Sequence, residues 1–383
     1  MQRRNFIRLS LIAASCLVFP LEGLAKHSST KTLVLVELNG GNDSLNTVVP
    51  YKSENYYELR KNIAIKKEDL RLISDELGLN KTLSNIASLY ENKQVAIVNG
   101  LGYERPNLSH FRSIEIVETA SKSNEYLKKG WLSSELERFP LNELTPTPAM
   151  VIGKRKKGHL FSKEIDVIQL KNIDSFMTKS TLLSKNKIDS NNNAALDFFM
   201  KQNISIEKTN KAFNKYTQDI TINTKFEITD ISNDFKEAVK IIKSPMNIPV
   251  IKIAHSGYDT HAGQVETHET LLKDLDNAIG SFVKELETEN LFDEVLIVTY
   301  SEFGRRVKEN GSFGTDHGTA SSQFVLGGKV KGGLYGKFPD MNMLIKNNLI
   351  YTTEYTSLYN TILSSWFEDK NNAYKDSELL AFL

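Results

Sequence analysis

Short continuous apolar runs alternate along this chain with stretches of helical spacing. Thr32 to Leu38 (TLVLVEL), Val95 to Val98 (VAIV), Thr147 to Val151, Pro249 to Ala254 and Glu294 to Thr299 read as buried strands, and Gln323 to Leu326 as one more. Runs of this length without polar alternation belong to strands covered on both faces. Between them, Leu83 to Glu91, Ser109 to Ala120, Phe235 to Ile242, Val265 to Glu289 and Tyr351 to Phe367 carry apolar residues at helical spacing. The longest presents Leu271, Leu272, Leu275, Ile279, Phe282, Val283 and Leu286, and the last presents Leu358, Ile362 and Trp366. Ser109 stands where a helix N-cap is expected. Pro50 to Arg60 reads as a surface loop with a short helix. Strands alternating with helices predict an α/β fold: a doubly wound, mostly parallel sheet with helices on both faces. From Lys154 to Ile231 the chain turns rich in Lys, Asn, Ser and Thr, which predicts a mostly helical insertion in an otherwise single domain over 26–383.

The N-terminus stands apart from this pattern. Gln2-Arg3-Arg4-Asn5-Phe6-Ile7-Arg8 is a twin-arginine signature, followed by the apolar stretch Leu9 to Phe19 and the small-x-small site Gly23-Leu24-Ala25. Residues 1–25 therefore read as an export signal, with the translocation machinery as partner and the periplasm or exterior as destination. Pro20 and Glu22 interrupt the apolar run short of the roughly 20 residues a membrane span needs. Cleavage removes Arg3, Arg4, Arg8 and Glu22, so Lys+Arg falls from 48 to 45 and Asp+Glu from 47 to 46, a net charge of about −1. That balance calls for neither nucleic acid nor anionic lipid. Cys16 lies in the signal, so the mature chain has no thiol. Any metal must be held by imidazole, carboxylate and other oxygen donors.

The chemistry-bearing residues fall where strands end. Asp43 follows the first strand after Asn39-Gly40-Gly41-Asn42, Asp259 and His261 follow the strand ending at Ala254, and Glu302 follows Thr299-Tyr300-Ser301. Asp316-His317 precedes the strand at Gln323, and Ser109-His110 opens a helix. In an open α/β sheet the carboxyl edge of the strands is where ligands bind. Carboxylates gathered at one edge repel unless a cation sits among them, and zinc or harder divalent ions accept such donors. Singly, each has a plainer reading: Asp43 as a turn cap, Asp259-x-His261 as a cap and a core histidine, Glu302 as the partner of Arg305 or Arg306. The joint pattern favours a site. A serine at a helix N-terminus, in the field of its free N–H groups, also suits attack on an anionic ester.

The segments Gly40 to Asn46, Ser109-His110-Phe111, Tyr258-Asp259-Thr260-His261, Ser301-Glu302-Phe303-Gly304-Arg305 and Gly314 to Gly318, with Gly327-Gly328 and Gly332-Gly333 after them, occur in an order that resembles a bacterial family of exported proteins, the domain of unknown function 1501. That family is similar to the alkaline phosphatase and sulfatase superfamily. The resemblance spans Thr32 to Trp366 and implies an alkaline-phosphatase-like fold with one or two divalent ions (zinc, manganese, magnesium or calcium). It implies that Asp259, His261 and His317 form one ligand set. A second set, Asp43, Ser109 and Glu302, lacks its histidine because Phe303 stands there, unless Asp316 or His110 replaces it. The resemblance thus implies an exported metal-dependent hydrolase of phosphate or sulfate esters. Ser109 or an activated water would attack, with His110 and Arg305 beside it and Arg305 holding the anion. The alternative is a non-catalytic, metal-stabilised envelope protein that binds or assembles.

Overall fold

The structure, a computed structural model, describes residues 31–153, 157–183 and 194–383. The export-signal reading over residues 1–25 lies outside the described residues, as do residues 154–156 and 184–193 of the expected insertion.

The apolar runs do become strands. Thr32–Asn39 (β1), Val95–Gly102 (β2), Ala149–Ile152 (β3), Ile168–Leu170 (β4), Val250–Ser256 (β5), Val295–Tyr300 (β6), Ser321–Leu326 (β7), Gly333–Tyr335 (β8) and Thr353–Glu354 (β9) form one nine-stranded sheet. Its order is β8-β2-β7-β6-β1-β5-β3-β4, with β9 pairing the far end of β2. β1 runs parallel to β5 and β6 in the centre. Only β7 runs against its neighbours β2 and β6. That reversal has a consequence for the site. Because β7 runs backwards, the residues before it, Asp316 and His317, reach the same edge as the residues after β6.

The described helices of seven residues or more are Ser84–Glu91 (α1), His110–Thr119 (α2), Ile173–Leu183 (α3), Ala194–Tyr216 (α4), Asp230–Lys243 (α5), Gln264–Thr288 (α6) and Tyr355–Thr361 (α7), the last continued by a π-turn at Ile362–Trp366. They cover both faces of the sheet, which is why its central strands are apolar except for such buried pairs as Lys252–Glu37 at 3.1 Å. Val34, Val36 and Leu38 of β1 pack into one core with α1, α5 and α6, while Leu33 and Leu35 pack into the other with Val117 of α2 and Leu358 of α7. On α6, Leu272, Leu275, Ile279, Phe282, Val283 and Leu286 are all buried, each burial contributing about 1.5–3 kcal/mol. Leu271 is only partly covered.

Two local readings change. The Lys/Asn-rich stretch contributes a strand, β4, parallel to β3 at the sheet edge. Its three residues are too few to announce themselves in a polar context. The Pro50–Arg60 stretch does hold a short helix, Glu54–Leu59, but Tyr56 and Arg60 are fully buried rather than at the surface.

One carboxylate fastens two helices. Asp276 on α6 is fully buried and accepts from the backbone N–H of Asn85 at 3.0 Å and of Ile86 at 2.9 Å. It thereby satisfies the first turn of α1, whose own N-cap, Leu83, offers no side-chain acceptor. Asp276→Ala is expected to cost about 1–3 kcal/mol, read from the shift of the denaturant midpoint. An unchanged midpoint would show that α1 holds its start without this carboxylate.

Candidate functional site

The loops after β1, β5 and β6 and the hairpin Arg305–Glu309/Thr315–His317 meet at one edge of the sheet. Gly40 makes the approach possible. Its φ is +118°, and a Cβ there would lie 2.3 Å from the backbone nitrogen of Asp259. Its N–H points at Glu302 and donates to both carboxylate oxygens, at 2.9 and 3.1 Å.

Arg305 ties these loops together. It is 1 % exposed. Its Nε donates to the Gly41 carbonyl at 2.7 Å, Nη1 to Thr315 at 2.9 Å, and Nη2 to Tyr258 at 2.9 Å, to Asp259 Oδ1 at 2.6 Å and to the Gly40 carbonyl. The expectation that Arg305 holds an anion is therefore corrected. The side chain is committed to four backbone carbonyls and to Asp259.

Asp43 is corrected in the same way. It is fully buried, and Arg60 grips both oxygens, Nη1 to Oδ2 at 2.6 Å and Nη2 to Oδ1 at 3.0 Å. Gln264 donates to Oδ2 as well, and the Leu45 N–H to Oδ1 at 3.2 Å. No lone pair is left facing the cluster, so Asp43 is a structural anchor. Burial alone would raise its carboxyl, but the charge and hydrogen bond of Arg60 outweigh that and hold it below the ordinary 3.8. A depressed folded pKa means that the unfolded chain takes up the proton first as pH falls. The pair's contribution is complete above the unfolded value and is lost as pH drops through the folded one. Stability should therefore fall below about pH 5, and less steeply in Asp43→Asn, when denaturant midpoints are measured from pH 6 downward. Equal slopes in the two proteins would contradict this assignment.

The remaining candidates come together around Asp259. The Nε2 atoms of His261 and His317 lie 3.0 and 3.3 Å from Asp259 Oδ1, and His110 Nε2 lies 3.4 Å from Oδ2. Each ring's other nitrogen faces away. His110 Nδ1 meets Glu302 Oε1 at 2.8 Å, His317 Nδ1 donates to the Leu108 carbonyl at 2.7 Å, and His261 Nδ1 lies 3.5 Å from Asp316 Oδ1. Carboxylates and carbonyls behind Nδ1 keep Nε2 as the inward nitrogen, the arrangement that orients imidazoles as metal ligands. Glu302 and Asp316, expected as ligands themselves, thus stand behind the histidines. Glu302 is 1 % exposed and committed to Gly40 and His110, while Asp316 also takes the Asn310 amide at 3.2 Å.

The protonation balance follows from these neighbours. The Glu302 hydrogen bond raises His110 above its ordinary 6.5, against the effect of burial. Burial pushes His317 below that value, helped by His110 and Arg305. Burial would raise Asp259, but Arg305 and the nearby imidazoles keep it below 3.8. The Asn310 hydrogen bond, aided by Arg306, keeps Asp316 low.

The donor set fits a divalent cation. His110, Asp259 and His317 offer ligand atoms all within 4.8 Å of one another. The Nε2 atoms of His261 and His317 are 3.0 Å apart, close to the roughly 3.3 Å between ligands of a tetrahedral zinc. Two inward imidazole nitrogens at that distance must share a proton or a cation. Phe303 cannot ligate. Its ring instead lines the rings of His317 and His110, with centroids at 4.6 and 4.9 Å.

Ser109 sits between two residues that contact the cluster, Leu108 and His110. It occupies the N-cap of α2, yet its side chain makes no capping hydrogen bond and the residue is exposed. Arg60, Gln264 and the Leu108 carbonyl had no signal in the sequence that marked them as parts of this region. The nearest was Gln264, an uncharged residue opening α6 directly after the Asp259–His261 segment.

This is an α/β protein with a polar centre of imidazoles and one carboxylate at its strand ends. The chain belongs to the family described as protein of unknown function, DUF1501, which matches residues 95–377. No curated protein matches it in sequence. Among solved structures it is similar to the C-terminal periplasmic domain of EcEptC from Escherichia coli in complex with Zn, at TM-score 0.43 and 12 % identity over 93 % of this chain and 85 % of that one. It is also similar to the lipoteichoic acid synthase LtaP from Listeria monocytogenes, at 0.39 and 9 % over 87 % and 71 %. A protein in the alkaline phosphatase superfamily from Vibrio parahaemolyticus matches at 0.37 and 10 % over 88 % and 66 %. At that distance the likeness carries no information on activity. Among the described residues no helix is long and apolar enough to cross a membrane.

Proposed function

We propose that this protein is an exported, metal-dependent hydrolase of anionic esters, phosphate or sulfate, with one ion held by Asp259, His317 and His110 or His261. The observation that carries the reading is the common orientation of the three imidazoles. Each has Nδ1 engaged outward and Nε2 within 3.0–3.4 Å of an Asp259 oxygen. A divalent ion there would supply Lewis-acid polarisation of an ester oxygen. Glu302 holds the His110 ring in place, and the Leu108 carbonyl holds that of His317. The first N–H groups of α2 offer donors to an ester anion. The Ser109 hydroxyl, unspent on capping, is the candidate nucleophile.

A second reading has its own support. Asp43 and Glu302 are both committed elsewhere, so the donors left suffice for a single ion rather than a pair. A lone ion also suits a metal-stabilised binding or assembly protein.

The experiment recovers the full-length gene product from the periplasmic fraction without chelators, measures metal per chain, and assays phosphate and sulfate esters with the ion found. About one equivalent with turnover supports the hydrolase. One equivalent with no turnover across both ester classes favours the binding reading. A product found only in the cytoplasm rules out export through the twin-arginine route.

A further inference from the structure

An apolar cavity of about 480 Å³ opens beside the histidine cluster. It shares a wall with it. Leu108, whose carbonyl holds His317, and Phe303, whose ring lines His110 and His317, both line the cavity. Tyr103, Leu349 and Tyr351 line it too, as do Ile345 and Ile350, which are 61 % and 37 % exposed. Large aliphatic side chains left partly in water in the lining of an apolar cavity mark a surface that something apolar covers. Arg105 and Lys346 also border the cavity.

We infer that this cavity takes the alcohol portion of the ester, and that the substrate class is an anionic monoester of a hydrophobic alcohol. The inference rests on the proposed ester chemistry. The anionic head would lie at the cluster and the N-terminus of α2, and the apolar portion would run past Phe303 between Tyr103 and Tyr351. Lys346 and Arg105, the latter 3.4 Å from Glu104, border the cavity and favour an anionic amphiphile over a neutral one. A sugar or other polyhydroxylated alcohol would set hydroxyls against Phe303, Leu349 and Ile345, side chains that offer no hydrogen bond, although Thr319 and Asn348 also line the cavity.

The test separates binding from turnover. Methylphosphonate and octylphosphonate, which no hydrolase of esters can cleave, are titrated calorimetrically into the metal-replete protein and into the double variant Ile345→Glu, Ile350→Glu. Both positions are at the surface, so the variant should fold. Octylphosphonate is expected to bind at least about tenfold more tightly than methylphosphonate. In the variant that advantage should fall below about threefold. Equal affinities in the parent, an advantage that survives in the variant, or no binding of either probe would overturn the assignment. An octyl preference without turnover of any ester would leave the cavity standing and remove the hydrolase. Turnover without an octyl preference would do the reverse.

Discussion

Arg305→Ala is expected to cost about 3–5 kcal/mol of stability, a large fraction of the roughly 5–15 kcal/mol by which a folded domain exceeds its unfolded state. The guanidinium is buried and its donors serve four backbone carbonyls, those of Gly40, Gly41, Tyr258 and Thr315, besides Asp259. Removing it strips those carbonyls of their guanidinium donors and leaves the loops after β1 and β5 unfastened from the hairpin. Arg305→Lys should recover little, because a single ammonium cannot reach carbonyls spread across the fork of a guanidinium. Denaturant midpoints of both variants provide the check. A loss below about 1 kcal/mol in Arg305→Ala would show that these loops are held by other contacts.

Asp259→Ala is expected to have the opposite profile, with modest loss of stability and near-complete loss of bound metal. Its side chain is 46 % exposed, and Arg305 keeps its backbone partners when the carboxylate is gone. The cluster, however, loses the one carboxylate that all three imidazoles approach. Metal per chain should fall more than about tenfold, and any ester turnover with it. His317→Ala should behave alike. Asp43→Ala supplies the contrast: it strands the buried Arg60 charge, so it should destabilise by several kcal/mol while the folded fraction keeps its metal. Full metal occupancy in Asp259→Ala would refute the assignment of the cluster as a metal centre.

Much of this architecture was readable before any coordinates. Continuous runs such as TLVLVEL and VAIV are what a strand needs when both its faces are covered, and the helical faces of α6 and α7 fell on the residues that the periodicity marked. The segments that end strands also named the region, since Asp259, His261, Glu302, Asp316 and His317 do gather at one edge. Their roles were not readable. Asp43 looked as good a ligand as Asp259, and Arg305 looked like an anion clamp. What separates them is who fills their hydrogen-bonding groups. Arg60 reaches Asp43 from 17 residues away, Gly40 meets Glu302 across 262, and His317 meets the Leu108 carbonyl across 209.

By itself, then, the sequence determined the layers, the covered faces and the edge at which polar residues collect, because burial and spacing are written in local periodicity. Tertiary structure alone decided that β7 runs backwards, that Asp43 and Arg305 hold loops rather than ligands, and that the imidazoles turn Nε2 towards Asp259. Each of those depends on which distant loops are packed against one another, and a carboxylate's or guanidinium's chemistry is set by the partners that packing brings to it.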